Sequence, residues 1–293
     1  MKLLQFIRNG ETRLGVITED DILDVKTAAE KTLKVVPVTM EELISQSDLG
    51  KKKLGELVSQ IKRGDHSDCF LKDGEFVYAP VVTNPEKIVC VGLNYLDHAK
   101  ESNMKIPTSP VLFSKFNNAL AAHQGTIAIP DDARNIDYEA ELVIVMGKSA
   151  KQVSEQEALS YVFGYTCGND LSARDLQFRS EQWLLGKSLD GFAPVGPYIA
   201  TSEELDPNHL AISCLVNGEI RQQANTKDMI FNCATLISYI SRYMTLQPGD
   251  LIFTGTPEGV ILGYPENEQV WLKSGDQVVV TIESLGELHT TLE

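Results

Sequence analysis

Residues 137–146 read Asp-Tyr-Glu-Ala-Glu-Leu-Val-Ile-Val-Met, and they constrain the fold more than any other stretch of the chain. The apolar run from Leu142 to Met146 is rich in β-branched residues and stops at Gly147-Lys148, so it predicts a strand over Tyr138–Met146. Side chains two apart on a strand share a face, so Glu139 and Glu141 project together beside an apolar surface. Like charges held close are unfavourable unless something neutralises them. The pair can lie on the wet face of a sheet, the commoner arrangement on spacing alone. Alternatively it can hold a divalent cation, and oxygen-only ligands favour Mg²⁺, Mn²⁺ or Ca²⁺ over zinc.

A strand needs partners, and the chain supplies short ones. Residues 2–8 and 11–17 flank Asn9-Gly10, a hairpin signal, and Leu210–Val216 and Glu219–Gln223 flank Asn217-Gly218 in the same way. Further strands are expected at Ile22–Val25, Ile88–Val91, Leu251–Thr254, 277–283 and 287–292. Thr39 with Glu42 predicts a capped helix start, and Leu54, Leu57, Val58 and Ile61 mark a second helical face. Gly64-Asp65-His66-Ser67-Asp68 reads as a loop. Ser154 with Glu157 predicts a short helix ending near Phe163-Gly164. Leu236, Ile237, Ile240, Tyr243 and Met244 mark another helix. Tyr78-Ala79-Pro80 and Asn84-Pro85 interrupt the pattern, which places a boundary near residue 80 between a small domain, 1–80, and a larger one, 81–293. A few helices among many short strands and hairpins predict an α+β fold.

Composition excludes several classes. The 293 residues hold 26 Lys+Arg against 41 Asp+Glu, a net charge of −15, with 43% hydrophobic residues. This is the make-up of a soluble globular protein, and the acidic balance argues against a nucleic-acid partner. No apolar run approaches the roughly 20 residues that span a bilayer, so no membrane partner is expected. Cys69, Cys90, Cys167, Cys214 and Cys233 are scattered and contain no C-x-x-C pair, which predicts reduced thiols in a cytoplasmic protein.

Other residues carry candidate chemistry. Asp170, in Gly168-Asn169-Asp170-Leu171-Ser172, fits either a third carboxylate ligand or a helix N-cap, and the cap is the better local reading. His98 and Glu101 are three apart, so on a helix they meet on one face as a general-base pair or as an ordinary surface pair. Gly186-Lys187-Ser188 lacks the first glycine of a phosphate loop, which excludes nucleotide binding there but leaves Lys187 as a site cation. Thr254-Gly255-Thr256-Pro257-Glu258-Gly259 follows a strand and is either an anion-binding loop or a tight turn. The chain has no G-x-S-x-G elbow, so a serine-hydrolase nucleophile is missing.

Seven stretches together resemble the fumarylacetoacetate hydrolase family: KIVCVGLNYLDHAKE (87–101), PVLFSKF (110–116), DYEAELVIVMGK (137–148), FGYTCGNDLSARDLQ (163–177), GKSLDGFAPVGP (186–197), VNGEIRQ (216–222), and MIF (229–231) with LQPGDLIFTGTPEGV (246–260). They occur in order over most of residues 87–260, and residues 1–80 look like the smaller domain of longer members. The resemblance implies a mixed β-roll and one Mg²⁺ or Mn²⁺ per chain, held by Glu139, Glu141 and Asp170. It implies a catalytic pair, His98 and Glu101, in a segment able to close over the site, and an active-site lysine, Lys187. Gln177, Thr256, Arg174 and Lys115 match substrate-contacting positions.

The resemblance also implies a small 2-oxo or 2,4-dioxo acid as substrate. The expected reaction is carbon–carbon bond hydrolysis in a 2,4-dioxo acid of the fumarylacetoacetate or acylpyruvate type. In it the metal stabilises an enolate, His98 oriented by Glu101 activates water, and Lys187 faces the oxyanion. Oxaloacetate decarboxylation is the alternative, as is isomerisation or decarboxylation of 2-hydroxymuconate-type dioates. A non-catalytic metal-binding scaffold is a distant third. Gln182, Trp183, Asp190 and Phe192 are candidates for shaping the pocket. The family is commonly dimeric, so a homodimer is expected.

Overall fold

The computed structural model describes residues 1–19, 21–61, 64, 66–101 and 105–293. The expected α+β class is observed, built on two mixed sheets. The larger sheet runs, strand by neighbouring strand, Phe70–Leu71, Ile22–Asp24, Glu11–Ile17, Lys2–Arg8, Ala193–Thr201, Val162–Asn169, Ala140–Met146, Leu251–Phe253, Ile88–Gly92 and Val111–Lys115. Leu251–Phe253 and Ile88–Gly92 are parallel, and the neighbouring pairs along the rest of this path are antiparallel. The smaller sheet runs Glu219–Asn225, Ala211–Val216, Gln277–Ile282, Gly286–Leu292 and Gly125–Ile127.

Both Asn-Gly hairpins form where the dipeptides predict them. Asn9 and Gly10 have φ of 53° and 77°, and Asn217 and Gly218 have 52° and 84°, the left-handed pair that a two-residue turn demands. The strand Ala140–Met146 is buried along its whole length, which explains its unbroken apolar run. Leu142, Ile144 and Met146 enter the core shared with the smaller sheet. Val143 and Val145 enter a second core, with Leu43, Leu54 and Leu57 of the helix Met40–Gln60. By the same alternation Glu141 belongs to the Val143 face.

The helix Met40–Gln60 breaks at Ser47 (φ 48°, ψ −124°), giving the two helical segments expected from the sequence. Thr39 Oγ1 accepts the Glu42 N–H, while Glu42 reaches back to the Val38 N–H rather than to that of Thr39. The expected Ser154 capping box does not form. Ser154 Oγ donates to Glu157 Oε2 at 2.8 Å, the helix spans only Glu155–Ala158, and Phe163-Gly164 already lie in the next strand. In the expected loop 64–68, Asp65 lies outside the described residues and Ser67–Cys69 forms one 3₁₀ turn. Strands on both sides of the boundary near residue 80 belong to one sheet, because Lys2 and Leu3 pair with Ala200 and Ile199. All five cysteines are buried and free.

Candidate active site

The start of the strand Ala140–Met146 delivers the first carboxylates. Glu139 immediately precedes it, its N–H donating to Asn169 Oδ1 and its carbonyl accepting the Asp170 N–H. Glu141 lies opposite Gly168 on the neighbouring strand Val162–Asn169. A Cβ at Gly168 would lie 2.7 Å from Phe253 Cε1, so only glycine allows this close strand packing. Asp170 follows that strand directly and caps no helix, since the turn Arg174–Gln177 begins after Ala173. The solvated-edge reading of the glutamates therefore fails: Glu139 is 6% exposed, Glu141 2% and Asp170 0%. One carboxylate oxygen from each of the three lies within 4.8 Å of the others.

Three cations surround this cluster. Lys187 Nζ lies 2.5 Å from Glu139 Oε2 and 2.9 Å from Asp170 Oδ2, and 5.0 Å from the centre of the Phe113 ring. Arg174 donates to Glu139 Oε1 at 2.7 Å, to Asp137 Oδ2 at 2.9 Å and to Gln177 Oε1 at 2.9 Å. Lys115 Nζ donates to the carbonyls of Leu171, Lys187 and Phe192, and its contact with Asp170 Oδ1 at 2.6 Å lacks hydrogen-bond alignment. Burial alone would raise the Glu139 carboxyl, but Lys187 and Arg174 outweigh it and hold it well below the usual carboxylate range. Burial pushes Glu141 well above that range, with the charges of Asp170 and Glu139 adding to it. Burial likewise lowers Lys115.

The residues fit a divalent cation. With Glu141 ionised, as a metal ligand must be, four buried acids (Asp137, Glu139, Glu141, Asp170) face three buried cations, one positive charge short. Among the described residues no cation lies within ion-pair distance of Glu141, which accepts only the Gly255 N–H, at 2.8 Å. Asp170 Oδ1 is buried without a hydrogen-bond donor. An all-oxygen donor set with this deficit suits a hard cation.

His98 and Glu101 meet on one helix face, as their spacing predicts. On the helix Leu96–Glu101, His98 Nδ1 lies 2.7 Å from Glu101 Oε1, and Glu101 Oε2 accepts the Gly259 N–H at 3.0 Å. A cavity of about 610 Å³ brings His98, Glu101, Glu139, Glu141, Arg174, Gln177, Lys187 and Thr256 together. Its outer wall is mainly apolar, with Phe113, Phe178, Trp183 and Leu262.

Some expected residues stand elsewhere. Lys115 does not line this cavity, because its ammonium is directed at three backbone carbonyls behind Asp170. Thr256 lines it, but its hydroxyl donates to the Ala140 carbonyl and accepts from Gln222, so it has no proton to offer a ligand. Of the candidate pocket shapers only Trp183 lines the cavity. Phe192 is core, and Asp190 accepts from Asn118. Sequence reasoning missed Asp137, Gln222 and Asn94, whose bonds are made to loops distant in the chain and carry no local spacing signal. Asp137 alone was within reach, as an acid two positions before Glu139.

The chain belongs to the fumarylacetoacetate hydrolase family. Its residues 87–293 match the model of the family's C-terminal region. It is similar to the mitochondrial oxaloacetate tautomerase of Xenopus laevis, 38% identical over 98% of this chain and 89% of that protein. Among solved structures it resembles the fumarylacetoacetate hydrolase of Exiguobacterium antarcticum, with 33% identity, a TM-score of 0.84, and 100% and 99% of the two chains covered. It also resembles the fumarylpyruvate hydrolase of Pseudomonas aeruginosa in complex with Mn²⁺ and pyruvate, with 35% identity, a TM-score of 0.66, and 73% and 96% covered. Among the described residues no helix is long and apolar enough to cross a membrane. The Xenopus name sets a mitochondrial location beside the cytoplasmic one expected from the cysteines.

Proposed function

We propose that this chain catalyses proton transfer at the carbon next to the 2-oxo group of a small 2-oxo dicarboxylate, interconverting the keto and enol forms of oxaloacetate. The observation that carries this reading is the meeting of the His98–Glu101 pair with Glu139 and Glu141 in one cavity, with Asp170 clustered behind them. Glu139, Glu141 and Asp170 would hold one Mg²⁺ or Mn²⁺ per chain. That ion supplies a Lewis acid for the 2-oxo acid end of the substrate.

The remaining work falls to the chain's own groups. Glu101 fixes the His98 ring through Nδ1, leaving Nε2 as the atom that takes the carbon proton and returns it. Arg174 and the Gln177 amide border the cavity and orient the substrate carboxylates. Phe113, Phe178 and Trp183 give the cavity an apolar wall beside the transfer. Proton transfer is preferred to hydrolysis because the His98–Glu101 pair beside the carboxylate cluster suffices for it, whereas hydrolysis also needs a donor for an oxyanion. The relatedness to an oxaloacetate tautomerase over nearly the whole chain supports the same choice.

Hydrolysis of a carbon–carbon bond in a 2,4-dioxo acid is the second reading. It is favoured by the His98–Glu101 pair, which can take a proton from water as well as from carbon, and by the likeness to a fumarylpyruvate hydrolase. The test compares enol decay in oxaloacetate with pyruvate release from oxaloacetate and acetylpyruvate, with and without Mn²⁺. Enol decay outpacing both pyruvate signals is the expected result. Faster pyruvate release from acetylpyruvate would establish the hydrolase instead, and from oxaloacetate a decarboxylase. We also propose a homodimer, to be checked by sedimentation.

A further inference from the structure

Asp137 is an acid with no exposure at all, and it is not among the three clustered carboxylates. Its oxygens are fully engaged. Oδ1 accepts the N–H groups of Tyr138 (2.9 Å) and Ile261 (2.8 Å), and Oδ2 accepts the Leu262 N–H (3.1 Å) and Arg174 Nε (2.9 Å). These bonds reach two different parts of the site. Arg174 holds Glu139 and Gln177. Ile261 and Leu262 begin the segment whose residues Leu262–Glu266 line the cavity. In that segment Gly263 packs against the general-base pair, since a Cβ there would lie 2.6 Å from the Glu101 carboxyl carbon and from its Oε2. The Glu101 carboxylate is thus held between the Gly259 N–H and the Gly263 backbone.

We propose that Asp137 is a positioning residue that sets the placement of the His98–Glu101 pair relative to the carboxylate cluster. It does so by fixing Arg174 on one side and the 261–263 segment on the other with a single rigid carboxylate. The inference rests on the proton-transfer reading for its kinetic consequence, but not for its structural one. An Asn at 137 cannot replace the acid. In either amide orientation an NH₂ faces backbone N–H donors, with Arg174 added in one of them, so bonds are lost and donors oppose each other.

The test uses Asp137→Asn and Gly263→Ala, which perturb the bracket from opposite ends. Three quantities are read: the ¹⁵N signals of the His98 ring in metal-free protein, Mn²⁺ affinity by titration, and kcat and KM for the enol interconversion. Both variants are expected to shift the His98 signals and to lower kcat by about tenfold to a hundredfold, the range for losing charge-assisted buried hydrogen bonds. Mn²⁺ affinity should change less than about threefold, because the three clustered carboxylates remain. Unchanged His98 signals in folded Asp137→Asn would overturn the proposal, as would a kcat loss that tracks lost Mn²⁺ affinity alone. If Asp137→Asn does not fold, Gly263→Ala decides by the same criteria, because its φ is not positive and its backbone tolerates alanine. Wild-type protein without turnover would refute the proton-transfer reading, and the His98 signals would still judge the bracket.

Discussion

Replacing Glu141 with Gln should stabilise the metal-free protein while removing its response to metal. Glu141 is 2% exposed, faces no cation among the described residues, and has two other carboxylates within 4.8 Å. At an effective dielectric near 20, two unit charges at that distance repel by about 3.5 kcal/mol. Burial and that repulsion keep the proton on Glu141 in the metal-free fold, and taking up a proton that the unfolded chain releases near neutral pH costs on the order of 1–2 kcal/mol. Glutamine keeps the acceptor for the Gly255 N–H and removes the penalty. In wild-type protein, Mn²⁺ at a hundred times its Kd adds about 2.7 kcal/mol. With an unfolding entropy near 2.1 cal/mol/K per residue, that raises Tm by about 4 °C. The assay is thermal unfolding of both proteins with and without Mn²⁺. Glu141→Gln should start higher than wild type and gain nothing on adding metal. A variant that still gains the full Mn²⁺ increment would refute the ligand assignment, and a less stable metal-free variant would refute the charge-deficit argument.

Further outcomes follow from the same geometry. His98→Ala should keep wild-type Mn²⁺ affinity while losing roughly 10²- to 10⁴-fold in turnover, and unchanged turnover would remove the pair from the mechanism. Gly186→Ala would set a methyl 2.5 Å from the Ala173 carbonyl oxygen and 2.6 Å from Gln177 Cα, both backbone contacts that must yield. It should cost about 1–3 kcal/mol, read by urea unfolding, and should displace the neighbouring Lys187. Burial and the neighbouring His289 hold His123 down at about 4, and its Nδ1 accepts the His289 N–H, which protonation there would forbid. The unfolded chain therefore takes up the proton first as pH falls, so this stability is complete above about pH 6.5 and is lost progressively toward pH 4. Between pH 7 and pH 5 the loss should be on the order of 1–2 kcal/mol beyond that of His123→Asn, measured by urea unfolding at each pH.

Much of the site was legible because its residues act in local pairs. Glu139, just before the strand Ala140–Met146, and Glu141 within it converge as the expected strand spacing predicts, and His98 and Glu101 share a helix face. The Asn-Gly hairpins were legible because few residues accept a positive φ. Asp170 was ambiguous from its own neighbourhood, since an acid after a strand caps helices as readily as it binds metal. Only the resemblance to a family brought it beside the glutamates. Lys115 was misplaced because its charge says nothing about direction, and in the fold it faces the carbonyls of Leu171, Lys187 and Phe192. Asp137 and Gln222 escaped notice because their partners lie up to 125 and 82 residues away. The Ser154–Glu157 pattern misled because two side chains that can cap a helix can also bond to each other.

The pairing of Lys2 and Leu3 with Ala200 and Ile199 has a consequence for anyone dividing the chain. Residues 1–80 look dispensable from the family match, which begins at residue 87. Removing them would strip the hydrogen-bonding neighbour from Ile199 and Ala200, leaving only Leu120 and Ala121 beside Ala193 and Pro194, and turn that end of an interior strand into an open margin. The same cut would bare Val143, Val145 and Ile199, now covered by Leu3, Leu14 and the residues of Met40–Gln60. An unpaired apolar margin of this kind recruits other chains. A fragment holding every proposed active-site residue would therefore tend to self-associate, and the hairpin at the N-terminus acts as a guard against aggregation for the strand beside the site.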